Sequence, residues 1–488
     1  MDRRRDRRKI DYFRLPSMRV SAIVICVMFG AVFFAMCVYF AHYALTNQRK
    51  LMSNSYNTHT AVLSKQHTRG TIYAADHTVL AETVTGEDGK DVRSYPFGSL
   101  YAHAVGYAAK GKSGIESVYN FYLVNSSISL NDKVKYDTTG DKYPGDDVNT
   151  TLNPALQSVA SSTLGVYDGA ILVTEVKTGR ILAMVSKPDF DPNQIEEIWE
   201  KVQYDASSSV LLNRVKDGLY PPGSTFKIFT SLEYIRENPD TYSNYKYNCT
   251  GKYTSGQDSI SCYHGSVHGN VNFKSSFAKS CNSSYANIGM GLDRDSLNRT
   301  LSQCLFGSEL PIDLPTSKSS VAVSNELSDG DMMEICIGQG MTTITPLHLN
   351  MMTCAVANNG VLMKMRLADS ITDANGKVVQ EFKSERYGSL MTETESQAIR
   401  TLMEAVVDGG TGKKLNGLSY TAAGKTGSAE YGTVKGQSHA WFTGYAPAEE
   451  PEIAVTVIIE GAGSGGDYAV PLAKRVFDQY FGVYDYNG

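Results

Sequence analysis

The strongest constraint on this 488-residue chain is an uncharged apolar segment near its N-terminus. Residues 20–41 read VSAIVICVMFGAVFFAMCVYFA, and about 20 such residues span the hydrocarbon layer of a membrane. We therefore predict an uncleaved transmembrane anchor. A cleaved secretory signal is the competing interpretation, but the segment exceeds a typical signal core and no small-x-small cleavage site ends it. A buried core helix is a third interpretation, although such helices rarely lack a polar face over this length.

Charge is distributed unevenly about this segment. Residues 1–19 carry eight basic and three acidic side chains, whereas the whole chain has a formal net charge of −5. Because positively charged flanks stay in the cytoplasm, we predict a cytoplasmic tail at 1–19, the anchor at 20–41 and an extracytoplasmic remainder. The acidic balance of that remainder gives no reason to expect nucleic acid as a partner.

Beyond the anchor we predict two domains. Residues 42–146 are rich in Gly, Tyr, Ser and Asp with short apolar runs, which indicates a small domain of strands and loops. Residues 147–488 open with a strand, a helix starting at Asn153-Pro154 and a β-hairpin around Lys177-Thr178-Gly179, and they close with three strands and a helix. Strands at both ends with helices between them predict an α/β or α+β domain whose ends share one sheet.

The eight cysteines are scattered, with no CxxC pair, so no metal site is predicted. Cys26 and Cys37 lie in the apolar segment. Cys249 and Cys262 flank a polar stretch in the exported part, where a disulfide and two free thiols are equally compatible with the sequence. Cys281 is interpreted as a small packing residue rather than a redox group.

The first motif with chemical meaning is Ser224-Thr-Phe-Lys227, which follows a Pro-Pro-Gly turn. Apolar residues then recur at helical spacing, so Ser224 is predicted at a helix N-terminus with Lys227 one turn later on the same face. Free N–H groups there can stabilise an oxyanion, and a buried amine can take the serine proton. The motif alone is weak, because Ser243–Lys246 and Ser276–Lys279 also match, and a helix cap with a surface lysine is the plainer interpretation.

The second motif is Ser280-Cys-Asn282. In a non-helical turn, the two polar side chains can point into one cleft, where Ser280 can relay a proton to a leaving amine. Asn282 can hold a substrate amide and contact the lysine. Ser-x-Asn also occurs at Ser55, Ser129 and Ser296, so this motif too is weak by itself.

The third motif is a strand-borne Lys-Thr-Gly-Ser. Lys425 offers a positive charge to a substrate carboxylate and helps to keep the first lysine neutral, and Thr426 adds a hydroxyl. Gly427 permits close approach of a substrate backbone, and Ser428 supplies a second N–H for an oxyanion. A Lys-Thr-Gly at 177–179 is discarded as a hairpin turn. The ordered occurrence of all three motifs, each in suitable local structure, carries the prediction.

This ordered set resembles the penicillin-recognising serine enzymes. Within these enzymes, the chain resembles class B penicillin-binding proteins. This resemblance rests on Asn213-Arg214, Ile337-Gly-Gln-Gly340 and the HAWFTGYAP stretch. Before them, Arg69-Gly-Thr-Ile72 and Gly114-Ile-Glu116 resemble the pedestal domain of that class. The pedestal is short here, as in the compact penicillin-binding protein A type.

The resemblance implies a transpeptidase fold with a five-stranded sheet flanked by helices, preceded by one transmembrane helix and a small β-rich pedestal. It implies a peptidoglycan D,D-transpeptidase that cross-links stem peptides ending in D-Ala-D-Ala through a serine acyl-enzyme and is inhibited by β-lactams. The implied catalytic residues are Ser224 (nucleophile), Lys227 (general base), Ser280 (proton relay), Asn282 and Lys425, and the substrate-binding residues are Thr426, Gly427 and Ser428.

The resemblance also implies that no cofactor or metal is needed and that a glycan polymerase of the SEDS family is a partner. We expect a single-pass protein of the bacterial cell membrane, without a glycosyltransferase domain or an appended C-terminal domain. Two alternatives are a D,D-carboxypeptidase or β-lactamase-type hydrolase, and a non-catalytic scaffold or β-lactam sensor. The sequence leaves open the role in elongation, division or sporulation, the acceptor amine, the β-lactam affinities and the oligomeric state.

Overall fold

A computed structural model describes residues 16–46, 66–86, 90–205, 208–432 and 437–483. The described residues belong to two compact units, one within residues 1–58 and the other within residues 59–488. Most of the predicted cytoplasmic tail lies outside the described residues.

Within the described residues the helices are α1 (Pro16–Thr46), α2 (Ala102–Val105), α3 (Gly114–Val118), α4 (Asn120–Val124), α5 (Leu130–Thr139), α6 (Pro154–Leu164), α7 (Ile195–Tyr204), α8 (Lys227–Glu237), α9 (Phe273–Ala278), α10 (Asn282–Met290), α11 (Arg294–Gln303), α12 (Asp329–Cys336), α13 (Pro346–Ala357), α14 (Glu393–Gly409) and α15 (Val470–Tyr480). The strands are β1 (His67–Thr68), β2 (Ile72–Tyr73), β3 (Val79–Thr85), β4 (Asp91–Ser94), β5 (Tyr143–Pro144), β6 (Asp147–Thr150), β7 (Gly169–Glu175), β8 (Ile181–Lys187), β9 (Lys246–Cys249), β10 (Lys252–Ser255), β11 (Asp258–Ser261), β12 (Gly269–Asn272), β13 (Val361–Met363), β14 (Ala368–Thr372), β15 (Val378–Glu381), β16 (Arg386–Ser389), β17 (Ala423–Glu430), β18 (Ser438–Ala446) and β19 (Ile453–Ile459).

The first unit contains helix α1, which is apolar over most of its length. Its segment Ala22–Ala44 has 23 residues and a mean hydropathy of 2.7, which is long and apolar enough to cross a membrane. Among the described residues it is the one helix that meets this test. The predicted anchor at 20–41 falls inside α1, and a single apolar helix near the N-terminus fits membrane anchoring.

The second unit is built around a five-stranded antiparallel sheet of order β17-β18-β19-β7-β8. Strands β7 and β8 form the predicted hairpin, and the other three strands come from the C-terminal part of the chain. Helices α6 and α15 pack on one face of the sheet, and α13 packs on the other. The predicted fold class and the pairing of the two ends of the domain in one sheet are confirmed.

Strand β7 shows why the strands of the five-stranded sheet are so apolar. Ile171 and Val173 pack with α6 and α15, whereas Ala170 and Leu172 pack on the side of α13. Successive side chains of a strand point to opposite faces, so a strand covered on both faces becomes a continuous apolar run.

A second, six-stranded sheet has the order β15-β14-β6-β2-β3-β4. It joins strands of the predicted small domain to β14 and β15, which lie more than 200 residues further along the chain. Strand β6, with which the second predicted domain begins, pairs with both β2 and β14. The sheet therefore crosses the predicted boundary between residues 146 and 147, and the exact domain limits stay a prediction.

A buried ion cluster lies within the small domain. Glu116 is fully buried and accepts hydrogen bonds from Arg69 at 2.6 Å, from Arg93 at 2.7 Å and from the Tyr95 hydroxyl at 3.2 Å. Burial alone would raise the pKa of Glu116, but the two guanidinium groups hold that pKa below its ordinary value. The pedestal motifs recognised in the sequence therefore form one paired charge network.

Candidate active site

Ser224 lies in a short 3-10 turn immediately before helix α8. The turn is held on two sides. The N–H of Gly223, which has a φ of +54°, donates to the carbonyl of Gly338 at 2.8 Å. The indole of Trp441 on β18 donates to the carbonyl of Pro221 at 3.1 Å. The hydroxyl of Ser224 is thereby fixed at the wall of a cleft, where it is half-buried and accessible.

Lys227 lies at the first position of α8, fully buried behind Ser224. Its Nζ is 3.1 Å from the Ser224 Oγ, 2.8 Å from the Ser280 carbonyl oxygen and 2.8 Å from the Asn282 Oδ1. Those two carbonyl-type oxygens can only accept, so they take both N–H groups of a neutral amine and leave its lone pair for the serine hydroxyl. Burial lowers the pKa of Lys227 to about 7. The amine can therefore accept the serine proton near neutral pH.

Ser280 lies between two lysines. Its hydroxyl oxygen is 3.4 Å from the Nζ of Lys227 and accepts a hydrogen bond from the Nζ of Lys425 at 2.9 Å. The residue has a φ of +55°, in the left-handed region that residues other than glycine rarely adopt. Hydrogen bonds from Ser280 and Cys281 to the end of α9 hold this turn. The hydroxyl is thus within reach of both amines and can carry a proton between them and a bound substrate.

Lys425 and Thr426 belong to β17, the edge strand of the five-stranded sheet. Burial and the charge of Lys227 lower the pKa of Lys425 well below its ordinary value. The Oγ1 of Thr426 lies 2.5 Å from the Oγ1 of Thr411, so the two hydroxyls form a polar pair beside the lysine. Burial of the two amines favours their uncharged forms, and an incoming carboxylate would favour the charged form of Lys425.

Gly427 is where β17 runs against the turn that carries the nucleophile. A Cβ atom at this position would lie 3.0 Å from the Pro222 carbonyl oxygen and 3.1 Å from the Thr225 Cγ2. The predicted reason for this glycine was close approach of a substrate, and the structure adds close packing against the turn. That packing brings Ser428 alongside Ser224 in the same cleft.

The cleft has a volume of about 340 Å³. The predicted residues come from three separate parts of the chain: the turn before α8, the turn before α10 and strand β17. The predicted residues on its lining are Ser224, Ser280, Asn282, Thr426 and Ser428, and those buried next to it are Lys227, Lys425 and Gly427. All the predicted site residues thus lie at one place in the fold.

Comparison with known proteins identifies the family. The penicillin binding protein transpeptidase domain matches residues 169–478, which is more than half of the chain. The penicillin binding protein A dimerisation domain matches residues 69–148. The chain belongs to the penicillin-binding protein transpeptidase family. The resemblance to class B penicillin-binding proteins, drawn from the motifs alone, is confirmed.

The alignments with individual relatives in this penicillin-binding family cover most of the chain. A peptidoglycan D,D-transpeptidase MrdA of Acinetobacter baumannii is 28% identical over 443 residues, which cover 80% of this chain and 66% of the relative. A peptidoglycan D,D-transpeptidase PbpA of Mycolicibacterium smegmatis is 28% identical over 433 residues, which cover 83% and 87% of the two chains. The chain thus spans just under two thirds of the first relative and most of the second.

Solved structures give the same result for the fold. The D,D-transpeptidase domain from Eggerthella lenta is 29% identical with a TM-score of 0.77, and the match covers 86% of this chain and 99% of that one. Penicillin-binding protein A of M. tuberculosis, solved as a ceftriaxone acyl-enzyme complex, is 25% identical with a TM-score of 0.77 over 86% and 99% of the chains. The predicted penicillin-binding transpeptidase fold is therefore confirmed.

The sequence prediction missed one side of the cleft of this penicillin-binding domain. Thr411 pairs with Thr426, and Lys413 and Lys414 line the opening. Lys414 donates to the carboxylate of Asp467 at 3.0 Å. The signal that would have indicated this loop is its Gly-Thr-Gly sequence shortly before β17, since such glycines often mark close approach of backbone to a site.

The second feature that the sequence did not indicate is a cluster of three thiols and an imidazole. Cys249, Cys262 and Cys281 are buried free cysteines, and His268 lies beside them. The sulfurs of Cys249 and Cys262 are 3.7 Å apart, so the pair for which the sequence left a disulfide open is present as two thiols. Cys281 is buried as predicted, but its neighbours are sulfur and imidazole rather than hydrocarbon.

Proposed function

We propose that this chain is a peptidoglycan D,D-transpeptidase that cross-links stem peptides through a serine acyl-enzyme. One observation carries the proposal: the Ser224 hydroxyl contacts a buried Lys227 amine, which in turn lies against Ser280 and Asn282, in a cleft beside the edge strand β17. The names of the two relatives and the acyl-enzyme state of the M. tuberculosis neighbour support the same chemistry.

Acylation begins when the Ser224 Oγ attacks the carbonyl carbon between the two terminal D-Ala residues of a stem peptide. The hydroxyl proton passes to the neutral amine of Lys227, and the N–H groups of Ser224 and Ser428 stabilise the oxyanion. The carbon–nitrogen bond then breaks. The departing D-Ala amine receives a proton through the Ser280 hydroxyl, which leaves an ester on Ser224.

Transfer reverses these steps with a different amine. The amino group of a neighbouring stem peptide attacks the ester carbon, and its proton returns through Lys227 to the Ser224 oxygen as the ester bond breaks. A new amide cross-link forms and the serine is restored. With a β-lactam the leaving nitrogen stays attached to the acyl group, so it blocks the approach of an acceptor amine and the acyl-enzyme persists.

Strand β17 supplies the substrate site in this proposal. As the edge of the sheet, it can pair with an extended stem peptide through main-chain hydrogen bonds. The terminal carboxylate of the peptide would then meet Lys425, Thr426 and Thr411. The carboxylate would favour the charged form of Lys425.

Membrane placement follows from the charge on either side of α1. The eight basic residues within 1–19 favour a cytoplasmic N-terminus, which puts the catalytic domain outside the bacterial cell membrane, where peptidoglycan is cross-linked. A glycan polymerase of the SEDS family is the partner that the family resemblance suggests.

A hydrolase needs a group that activates water at the acyl-enzyme. Among the described residues that line the cleft, the carboxylate is Asp467, and it is engaged by Lys414. This observation favours transfer to an amine over transfer to water.

The test is intact-mass spectrometry of the full-length protein in detergent after exposure to benzylpenicillin, with Ser224→Ala as the matched variant. We expect a gain of one whole penicillin that persists, and no gain on the variant. A rapid return to the free mass would favour a hydrolase. No gain on folded wild-type protein would favour a non-catalytic scaffold.

A second assay separates transfer from hydrolysis on peptide. The protein is given a synthetic stem pentapeptide with and without an added D-amino acid acceptor. Products that incorporate the acceptor are expected, and release of the tetrapeptide alone in both reactions would point to a carboxypeptidase.

A further inference from the structure

We propose that Cys249, Cys262, His268 and Cys281 bind one Zn²⁺ ion beside the catalytic Ser280–Asn282 turn. One ligand atom from each of the four side chains lies within 4.8 Å of all the others. Three thiolates and one imidazole form a common ligand set of structural zinc sites, and four ligands complete the tetrahedral coordination that zinc prefers.

Three of the six distances between the ligand atoms match those of a tetrahedron, and the other three are at most 4.8 Å. A Zn–S bond of about 2.3 Å and a Zn–N bond of about 2.0 Å place sulfurs about 3.8 Å apart and sulfur about 3.5 Å from nitrogen. The sulfur of Cys262 lies 3.7 Å from that of Cys249 and 3.8 Å from that of Cys281. The sulfur of Cys249 lies 3.4 Å from the Nδ1 of His268. A disulfide requires about 2.05 Å and would use only two of the four groups.

The surroundings of the sulfurs are those of thiolates. Backbone N–H groups of Gly251 and His268 point to the sulfur of Cys249 at 3.4 and 3.5 Å, and that of Ser283 points to the sulfur of Cys262 at 3.5 Å. Such N–H groups stabilise sulfur ligands and fix their direction in metal sites. The three cysteines are buried, whereas His268 is half-buried and lines the cleft, which gives an ion a path to the site.

The ion would hold the catalytic turn from two directions. Cys281 lies between Ser280 and Asn282, and Ser280 keeps a φ of +55° that its neighbours must maintain. The Nδ2 of Asn282 donates to the carbonyl of Ser261, which directly precedes Cys262. Cys281 is therefore the chain neighbour of two residues that contact Lys227, and Cys262 is the chain neighbour of the residue that holds Asn282. With four protein ligands the site has no open position, so its role is to position this turn.

This proposal departs from the expectation that the chain needs no metal, which rested on the absence of a CxxC pair and on the family resemblance. The four residues are instead supplied by the ends of β9 and β11, the start of β12 and the turn before α10. Metal content can be measured without any turnover, so the outcome does not depend on the transpeptidase function.

The first experiment is elemental analysis of the full-length protein, purified in detergent without chelators through a tag that does not bind metal. We expect about one zinc per chain for the wild type and less than about a tenth of that for Cys262→Ala, because a lost ligand opens the site. Cys304→Ala is the matched control, since Cys304 is a buried thiol of the same domain outside the cluster, and it should keep its zinc.

The wild type alone provides a second measurement in case the variant does not fold. A mercurial thiol reagent should release about one zinc per chain to a colorimetric chelator. Peptide mapping after alkylation should find the three cysteines protected until the metal is removed. Free and unprotected thiols without metal, a disulfide within the cluster, or another metal in place of zinc would each overturn the proposal.

The positioning role has its own readout. Removal of zinc with a chelator should slow acylation of Ser224 by benzylpenicillin about tenfold or more, as is usual when the support of a catalytic group is lost, and added zinc should restore the rate. Cys262→Ala should already be slow and should not respond to the chelator. Equal acylation rates with and without zinc would contradict positioning of the turn by the ion.

Discussion

The buried amine of Lys227 makes a quantitative prediction for the pH dependence of acylation. Only the neutral amine can accept the proton of Ser224, and burial lowers the pKa of Lys227 to about 7. A lowered lysine pKa means that the active form is lost as the pH falls through about 7 and is fully present above about 8. The second-order rate constant for acylation should therefore rise with pH and then level off.

The size of the effect follows from that pKa of about 7. The neutral fraction is about 9% at pH 6, half at pH 7 and about 91% at pH 8, which predicts a tenfold rise in rate between pH 6 and pH 8. A lysine with an ordinary pKa would instead give a tenfold rise for every pH unit up to about 10. The two cases differ most between pH 8 and pH 9.

The assay follows acylation of the full-length protein in detergent by a fluorescent penicillin whose carboxylate stays ionised throughout this range. Circular dichroism at each pH verifies that the protein remains folded. Lys227→Arg is the matched variant, because arginine stays protonated at every pH used and should leave almost no acylation. A wild-type rate that does not change between pH 6 and pH 8, or that still rises tenfold between pH 8 and pH 9, would refute the assignment of the base.

Three further substitutions test how the site is supported. Glu116→Gln should destabilise the fold by about 3 kcal/mol, because it leaves the two largely buried guanidinium groups of Arg69 and Arg93 without their carboxylate, and thermal unfolding would measure this. Gly427→Ala should cost about 1–3 kcal/mol and slow acylation, since its Cβ would lie 3.0 Å from the Pro222 carbonyl oxygen. Thr411→Val should weaken penicillin capture about five- to tenfold with little change in melting temperature, because it removes the hydroxyl partner of Thr426.

Much of the fold was predictable because its signals are local. The hairpin of β7 and β8 follows from two apolar runs around a Lys-Thr-Gly turn, and the start of α6 follows from Asn153, whose side chain accepts from the N–H of Leu156 at 3.1 Å. The motif residues were predictable for the same reason. The first two motifs lie where a turn leads into a helix, and the third lies within the short strand β17.

What the sequence did not reveal depends on distant parts of the chain. The role of Thr411 becomes visible only when the fold brings it beside Thr426. The spacing of Cys249, Cys262 and Cys281 matches no metal motif, because these residues meet only after β9 pairs with β12 and β10 pairs with β11. The six-stranded sheet likewise recruits β14 and β15 across a long separation. Contacts of this kind are set by tertiary packing, which periodicity and turn residues do not encode.

A substitution of Lys425, the second buried amine, distinguishes two explanations for the neutral state of Lys227. The sequence suggested that the charge of Lys425 helps to keep Lys227 neutral, whereas the lowered pKa of Lys227 arises chiefly from its own burial. If burial dominates, Lys425→Met should lower the acylation rate constant about 10–100-fold through the loss of the substrate carboxylate's partner, while the midpoint of the pH profile stays near 7. If repulsion dominates, the midpoint should move upward by a pH unit or more. A shifted midpoint would mean that the two lysines share one proton in the free enzyme, and that the carboxylate draws it to Lys425 and leaves Lys227 as the base.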